Sequence, residues 1–315
     1  YDLPRTPITD IKVHEGDLVL STMGRGFWIM DNLSPLRQAA EAMAEDVFFF
    51  EPEDAYRLRG GGFGGFGQAG PDEPRYSPNG AMLDYMLPAG VRSVELSIHD
   101  ASGEMIRLYE SEGPGVTTER AQEMRAPFFQ TRGAPSPGTK AGLNRFVWDL
   151  TVPGPGGAAR GGPMVVPGQY TARLTVDGDV HERSLNVLMD PRVAADGVTV
   201  AALQERFGPA RELQAASEDA DQTTDRLRGV QERVSEGTDV ERELKEIERA
   251  LVTDDSISSY PQPMLRDQFN YLYRNSISAD QEPAVDMYDR LEALVTELEQ
   301  HKSRLERLSR MVTDS

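Results

Sequence analysis

Residues 8–31, ITDIKVHEGDLVLSTMGRGFWIMD, decide how the N-terminal part of this chain folds. Ile8, Ile11 and Val13 lead into His14-Glu15-Gly16-Asp17, a turn-type cluster. Leu18-Val19-Leu20 then resumes, and Gly24-Arg25-Gly26 punctuates before Phe27-Trp28-Ile29-Met30. Short apolar runs of period-2 character between Gly/Asp clusters predict a meander of strands. An isolated hairpin is marginal in water. The segment is therefore expected to need further strands, from elsewhere in this chain or from outside it.

Working outward, Ser34 to Asp46 read as a short helix, with Ser34 as N-cap, Pro35 at the first helical position and an Ala-rich stretch behind it. Val47-Phe48-Phe49-Phe50 predict another buried strand. Residues 60–80, GGGFGGFGQAGPDEPRYSPNG, are a Gly/Pro-rich loop in which Phe63 and Phe66 are candidate contacts to a neighbouring surface. Those glycines make a poor phosphate cradle, because no GK[ST] and no strand-to-helix context follow. From residue 81 the alternation returns in AMLDYML, VELSI, MIRLY and GLNRFVWDL. Asp100-Ala101-Ser102-Gly103 is a hairpin-type turn, and residues 111–142 form a second polar connection. Tyr170–Val176, the turn Asp177-Gly178-Asp179 and the run from Glu182 to Met189 form a hairpin, since Asp-Gly between alternating runs is a strong hairpin signal. Six or so short strands over about 110 residues predict a β-sandwich.

After Asp190-Pro191 the pattern becomes helical. Thr199 caps a segment with apolar positions at Val200, Leu203, Phe207, Leu213, Leu227 and Val230, in which Gly208-Pro209 is expected to impose a kink or break. Val240, Leu244, Ile247 and Leu251 mark a second helix, and Leu265, Phe269 and Leu272 begin a third. Ser278 with Gln281 resembles a capping box. Leu291, Leu294, Leu298, Leu305, Leu308 and Val312 then carry one apolar stripe. Spacings of three and four sustained this long predict antiparallel helices sharing a seam, with packing within the chain or oligomerisation as its two uses.

Composition narrows function. The 315 residues suffice for two or three domains. Acidic side chains number 52 against 33 basic ones, for a formal charge of −19. That balance argues against nucleic acid and anionic lipid as partners. Cysteine is absent, which removes disulfides, thiolate nucleophiles and Cys-based zinc sites. No apolar run approaches the roughly 18 residues of a membrane span. The chain opens at Tyr1 without an initiator Met, so it is read as a processed product or a piece of something longer.

Candidate chemistry is sparse. His14, His99, His181 and His301 lie on separate elements at no metal-ligand spacing and are expected at the surface or in turns. No G-x-S-x-G elbow occurs. A carboxylate dyad is unconstrained where acids are so numerous. Asp177-Gly178-Asp179 lacks the calcium-loop pattern and is expected to be a plain turn. Trp28 and Trp148, each in an alternating apolar strand, are expected in cores. No metal and no cofactor are expected.

DIKVHEGDLVLSTMGRGFWIMDNLSPL resembles the last blade of large bacterial proteins with a sortilin-like, BNR-repeat (WD40/YVTN/BNR-like) β-propeller, often labelled glycosyl hydrolase or exo-sialidase-like. The order that follows is also similar: a Gly/Pro loop, NGAMLDYMLP, GLNRFVWDLTVP, VPGQYTARLTVDG, MDPRV and a helical tail. The GLNRFVWDL and VPGQYTARLTVDG pair resembles an Ig-like module related to the flagellar-hook-cap type. The resemblance implies a multidomain β-plus-α chain. Its parts are a terminal propeller-blade segment at 1–58, a Gly/Pro-rich linker at 59–80, an Ig-like β-sandwich at 81–190 and an α-helical bundle at 198–315.

It also implies that most of the propeller lies upstream, and that the protein is bacterial and secreted, periplasmic or cell-surface. Arg25 and Asp31, flanking the Phe27-Trp28 strand, are the candidates for a functional propeller rim. Neither the S-x-D-x-G-x-x-W box nor the arginine triad, Tyr/Glu pair and Asp of sialidase chemistry can be placed on residues 1–58. The expectation is a non-catalytic accessory region that supports the propeller and binds a protein or glycan partner. The alternative is a fragment of a sialidase-like or peptide-acting hydrolase whose active site lies in upstream blades.

Overall fold

The structure, a computed structural model, describes residues 5–59, 78–111, 135–158, 161–254, 256, 261–280 and 285–313. Mixed β and α, it carries its sheets in the first part and a helical region toward the C-terminus. Phe63, Phe66 and Gln281 lie outside the described residues. The chain divides into two compact units, Tyr1–Val152 with Pro167–Pro191, and Pro153–Val166 with Arg192–Ser315.

The first unit opens with a three-stranded antiparallel meander, β1 (Ile8–His14), β2 (Asp17–Thr22) and β3 (Phe27–Met30), in the order β1-β2-β3. His14 pairs with Asp17 across a two-residue loop. Glu15 (φ 47°) and Gly16 (φ 90°) both take the left-handed backbone that such a tight hairpin requires. No described strand of another sheet completes this ladder. Among the described residues its sheet consists of these three strands alone.

Two further strands, β4 (Phe48–Phe49) and β5 (Ala55–Arg57), follow a pair of single-turn helices, α1 (Ser34–Arg37) and α2 (Ala39–Ala42). The one helix expected over 34–46 is split. Leu33, not Ser34, precedes the first turn, and the Ser34 hydroxyl donates to the Glu51 carbonyl at 2.8 Å. A contact 17 residues away in sequence has taken the hydroxyl from its local capping role.

The remaining strands are β6 (Ala81–Leu87), β7 (Val94–His99), β8 (Met105–Glu110), β9 (Gly142–Trp148), β10 (Gly168–Val176) and β11 (Asp179–Met189). They build a five-stranded sheet, β5-β11-β10-β7-β8, and a three-stranded one, β4-β6-β9. The segment break expected at 58–81 does not separate these sheets. β4 pairs with β6 and β5 runs parallel to β11, because their apolar and buried residues complete the two edges. Ring contacts link the sheets: Tyr109 meets Phe146 with centroids 4.6 Å apart, and Trp148 meets Tyr170 edge-on at 5.6 Å. Leu83, Leu96, Ile98, Ala172, Leu174 and Trp148 are fully buried. The β10–β11 hairpin turns at Asp177 (φ 48°) and Gly178 (φ 104°), again the tight two-residue type.

In the second unit, the short helix α3 (Pro191–Ala195) leads to α4 (Val200–Gln231), α5 (Asp239–Leu251), α6 (Leu265–Ser278) and α7 (Val285–Thr313). Thr199 caps α4 by accepting from the Ala202 amide at 3.1 Å. The break expected at Gly208-Pro209 is absent, and α4 continues through Pro209. Its flanking turns are held by burial of Leu203, Ala210 and Leu213, which outweighs the lost bond to the Glu205 carbonyl. Ser278 is the last residue of α6 rather than a cap for α7, and its hydroxyl donates back to the Asn275 carbonyl. The predicted stripes share one core, with Leu227, Leu244, Ile247, Phe269, Leu294, Leu298, Leu305 and Leu308 buried together. Residues 153–166, expected in the sandwich, belong to this unit, where Tyr273 donates its hydroxyl to the Gly161 carbonyl.

Candidate functional site

The most concentrated polar chemistry of the first unit lies where the meander meets the β4-β6-β9 sheet. Asp84, in the middle of β6, is only 2% exposed. Alternation puts Leu83 and Tyr85 on one face of that strand and Asp84 on the other, directly opposite Arg145 of β9. The pair is bidentate: Arg145 Nε donates to Asp84 Oδ1 at 2.7 Å and Nη2 to Oδ2 at 2.9 Å. This planar fork is the strong form of a carboxylate contact.

Asn32, just past β3, makes the connection to the meander. Its side-chain amide donates to Asp84 Oδ2 at 3.3 Å, its backbone amide donates to Asp17 Oδ1 at 2.9 Å, and its Oδ1 accepts from the Ser34 amide at 2.8 Å. Asn32 adopts φ +61°, a conformation that Asn tolerates better than most residues. The Leu33 amide donates to the Gly16 carbonyl at 2.8 Å, tying the β1–β2 turn to the same place. Glu53 lies against that turn, its Oε2 only 2.9 Å from where a Cβ on Gly16 would sit.

The electrostatics follow from this crowding. Burial, then the neighbouring Asp17 carboxylate, push the Asp31 carboxyl above its usual range, while Arg145 pulls the other way. Burial also raises Glu53, with Asp17 adding and Arg37 and Arg145 opposing. Asp31, Asp84 and Glu53 thus share Arg145, and Glu53 meets Arg37 as well. Raised carboxyls are one mark of acid–base sites, but structural ion-pair networks shift pKa values as well. Apart from the local Ser34–Asn32 bond, the hydrogen bonds of the network join positions 15 to 61 residues apart in the chain. Its evident work is to fasten the meander to the sheet.

Arg25 and Asp31 occupy opposite ends of β3. Arg25 is exposed in the turn before the strand, where its carbonyl accepts from the Trp28 indole at 3.1 Å. Asp31 belongs to the polar joint. Asp84, Arg145, Asn32 and Glu53 are not among the residues that the sequence singles out. The available signal was a charge interrupting an otherwise apolar strand, in AMLDYML and GLNRFVW, since a buried charge needs a partner.

Trp148 is fully buried as expected, whereas Trp28 is half-buried. His99, expected at the surface, is buried, because Ser97 Oγ lies 3.1 Å from its Nε2 and the Gly103 carbonyl 3.2 Å from its Nδ1. Asp177 spends its carboxylate on the Arg92 and Ser93 amides, at 3.1 and 2.9 Å. Those amides lower its pKa below the carboxylate norm. Among the described residues no group of three or more His, Asp or Glu is arranged to hold a metal ion. Among them, too, no helix is long and apolar enough to cross a membrane.

No family model and no curated protein matches this chain. Among solved structures, CopC from Methylosinus trichosporium OB3b is similar over 45% of this chain and 94% of its own, at 12% identity and a TM-score of 0.19. A likeness that slight carries no argument.

Proposed function

We propose that this chain is a non-catalytic accessory region of a secreted, periplasmic or cell-surface protein, in which β1–β3 close a β-propeller of BNR/sortilin-like type. On this reading the two-sheet core is an Ig-like module. The helices are a C-terminal bundle, and the region supports the propeller and binds a protein or glycan partner. One observation carries it. The register places Ile11, Val13, Leu18, Leu20, Trp28 and Met30 on one face of the meander, and Val19, Phe27 and Ile29 on the other. Ile11, Val13, Ile29 and Phe27 are 60, 59, 58 and 78% exposed. A sheet with one wet face alternates apolar and polar, whereas apolar residues on both faces suit a sheet stacked between two others. Blades of a propeller are stacked in this way.

Hydrogen exchange tests the reading. In this chain the amides of β1 and β3 are expected to exchange quickly; in the complete product of its gene they are expected to be protected. Equal, rapid exchange in both refutes it. The hydrolase alternative draws on the raised Asp31 carboxyl at the candidate rim. Glycosidase activity in the complete product that Asp31→Asn abolishes without unfolding it would favour that alternative.

A further inference from the structure

In the second unit, a groove of about 460 Å³ runs between α4 and α7. Its lining gathers Arg226, Arg233, Lys302 and Arg310 around one acidic side chain, Glu306. Such a cluster runs against the composition of a chain with formal charge −19. Lys302 is neutralised locally, by Asp219 at 2.7 Å and Glu299 at 2.6 Å. The arginines are engaged more loosely. Arg226 lies 3.9 Å from Asp219 Oδ1, and Arg233 donates to the neutral Gly229 carbonyl at 2.9 Å.

A second, independent feature lies in the same groove. Thr223, wholly buried, lines it, and the Thr223 hydroxyl has no hydrogen-bond partner. An unsatisfied buried hydroxyl is a cost to the fold that a hydrogen bond to a ligand oxygen would relieve. Val230 and Leu305 supply apolar wall beside these polar groups.

We propose that this groove binds a small organic phosphate or sulfate ester. Guanidinium forks match the paired oxygens of such oxyanions, and Thr223 supplies a neutral donor at the back. A long polyanion is disfavoured, because beyond a Debye length of about 8 Å it would meet the acidic remainder of the surface. A small anion experiences mainly the groove lining, where four cations surround one carboxylate.

Calorimetric and NMR titration of the full chain with phenyl phosphate, phenyl sulfate and phenol tests the site. Saturable binding of phenyl phosphate, weakened by salt and absent with phenol, is expected. The doubly substituted Arg233→Gln/Arg310→Gln chain should bind about tenfold or more weakly. Thr223→Val should weaken binding severalfold while leaving the helical circular dichroism intact. Equal binding of phenyl sulfate assigns a general oxyanion site, and preference for phenyl phosphate assigns a dianion site. No saturable binding of either ester, or binding indifferent to all three substitutions, overturns the proposal.

Discussion

Replacing Arg145 by Met removes the fork on Asp84 while keeping a long side chain that can cover the sheet. The structure sets the size of the effect. Two charge-assisted hydrogen bonds are lost, and the carboxylate they leave is only 2% exposed. Breaking a buried pair from one side costs about 3–5 kcal/mol. The Arg145 side chain is 29% exposed, so water can enter its place, and the expectation falls to about 2–4 kcal/mol. For a folded unit of this size that is a drop in Tm of roughly 5–15 °C.

Both tryptophans, Trp28 and Trp148, lie in the first unit. Urea unfolding followed by tryptophan fluorescence therefore reports that unit without contribution from the helices. Asp84→Asn should cost less than Arg145→Met, because a partly exposed guanidinium can be hydrated. The double variant should fall short of the sum by about 1.5–3 kcal/mol, the signature of a coupled pair. A loss under about 0.5 kcal/mol for Arg145→Met, or strict additivity, would refute the assignment of this pair as the fastening of the joint.

Asp31→Asn should raise the Tm of the first unit at neutral pH. Because the folded-state pKa of Asp31 is raised, the folded protein holds that proton more tightly. Stability from this group is then full below the ordinary carboxylate pKa and declines as pH rises from there through the raised value. The Asn variant lacks that decline, so its advantage should vanish below about pH 4 and grow above it, as thermal melts across pH would show. Asp100 and Asp177, both lowered, act in the opposite sense in both proteins and cancel in the difference. Gly80→Ala should cost about 3 kcal/mol or more in the same urea assay, because its Cβ would fall 2.2 Å from the Trp148 carbonyl at φ +133°. Pro209→Ala should stabilise the second unit by about 1–3 kcal/mol, read from helical circular dichroism, by restoring the missing amide within α4.

The parts legible in the sequence are those fixed over short separations. Asp177-Gly178 set a two-residue turn between alternating runs, Thr199 capped the helix that follows it, and spacings of three and four marked four helices. Where local and distant partners compete, reading failed. Ser34 has capping chemistry, yet its hydroxyl goes to Glu51; Ser278 closes a helix instead of opening one. β4 and β5, of two and three residues, carry too little pattern to reveal their partners, and both are claimed by strands from beyond residue 80. The joint was hidden for the same reason, since Asp84 and Arg145 are 61 positions apart and Asn32 and Asp84 are 52 apart. Each alone is an ordinary polar residue, and only the strand register makes them a network.

How the meander is fastened bears on what it is for. Had it been held by apolar packing, one of its faces would be buried against the two-sheet core, and strict inside–outside alternation would follow. Its attachment to the β4-β6-β9 sheet is instead polar and at one end, where Asn32, itself tied to Asp17, donates to Asp84. An end-on clasp of hydrogen bonds fixes direction while leaving both faces open. Directional bonds lose strength steeply with misalignment, unlike apolar contact. A sheet that has to receive neighbours on two sides needs an attachment of this kind. On the proposed propeller reading, loosening the clasp with Arg145→Met should affect stacking in the longer protein more than Phe27→Ser affects the stability of this chain alone. The reverse order would show that the exposed faces serve the chain itself.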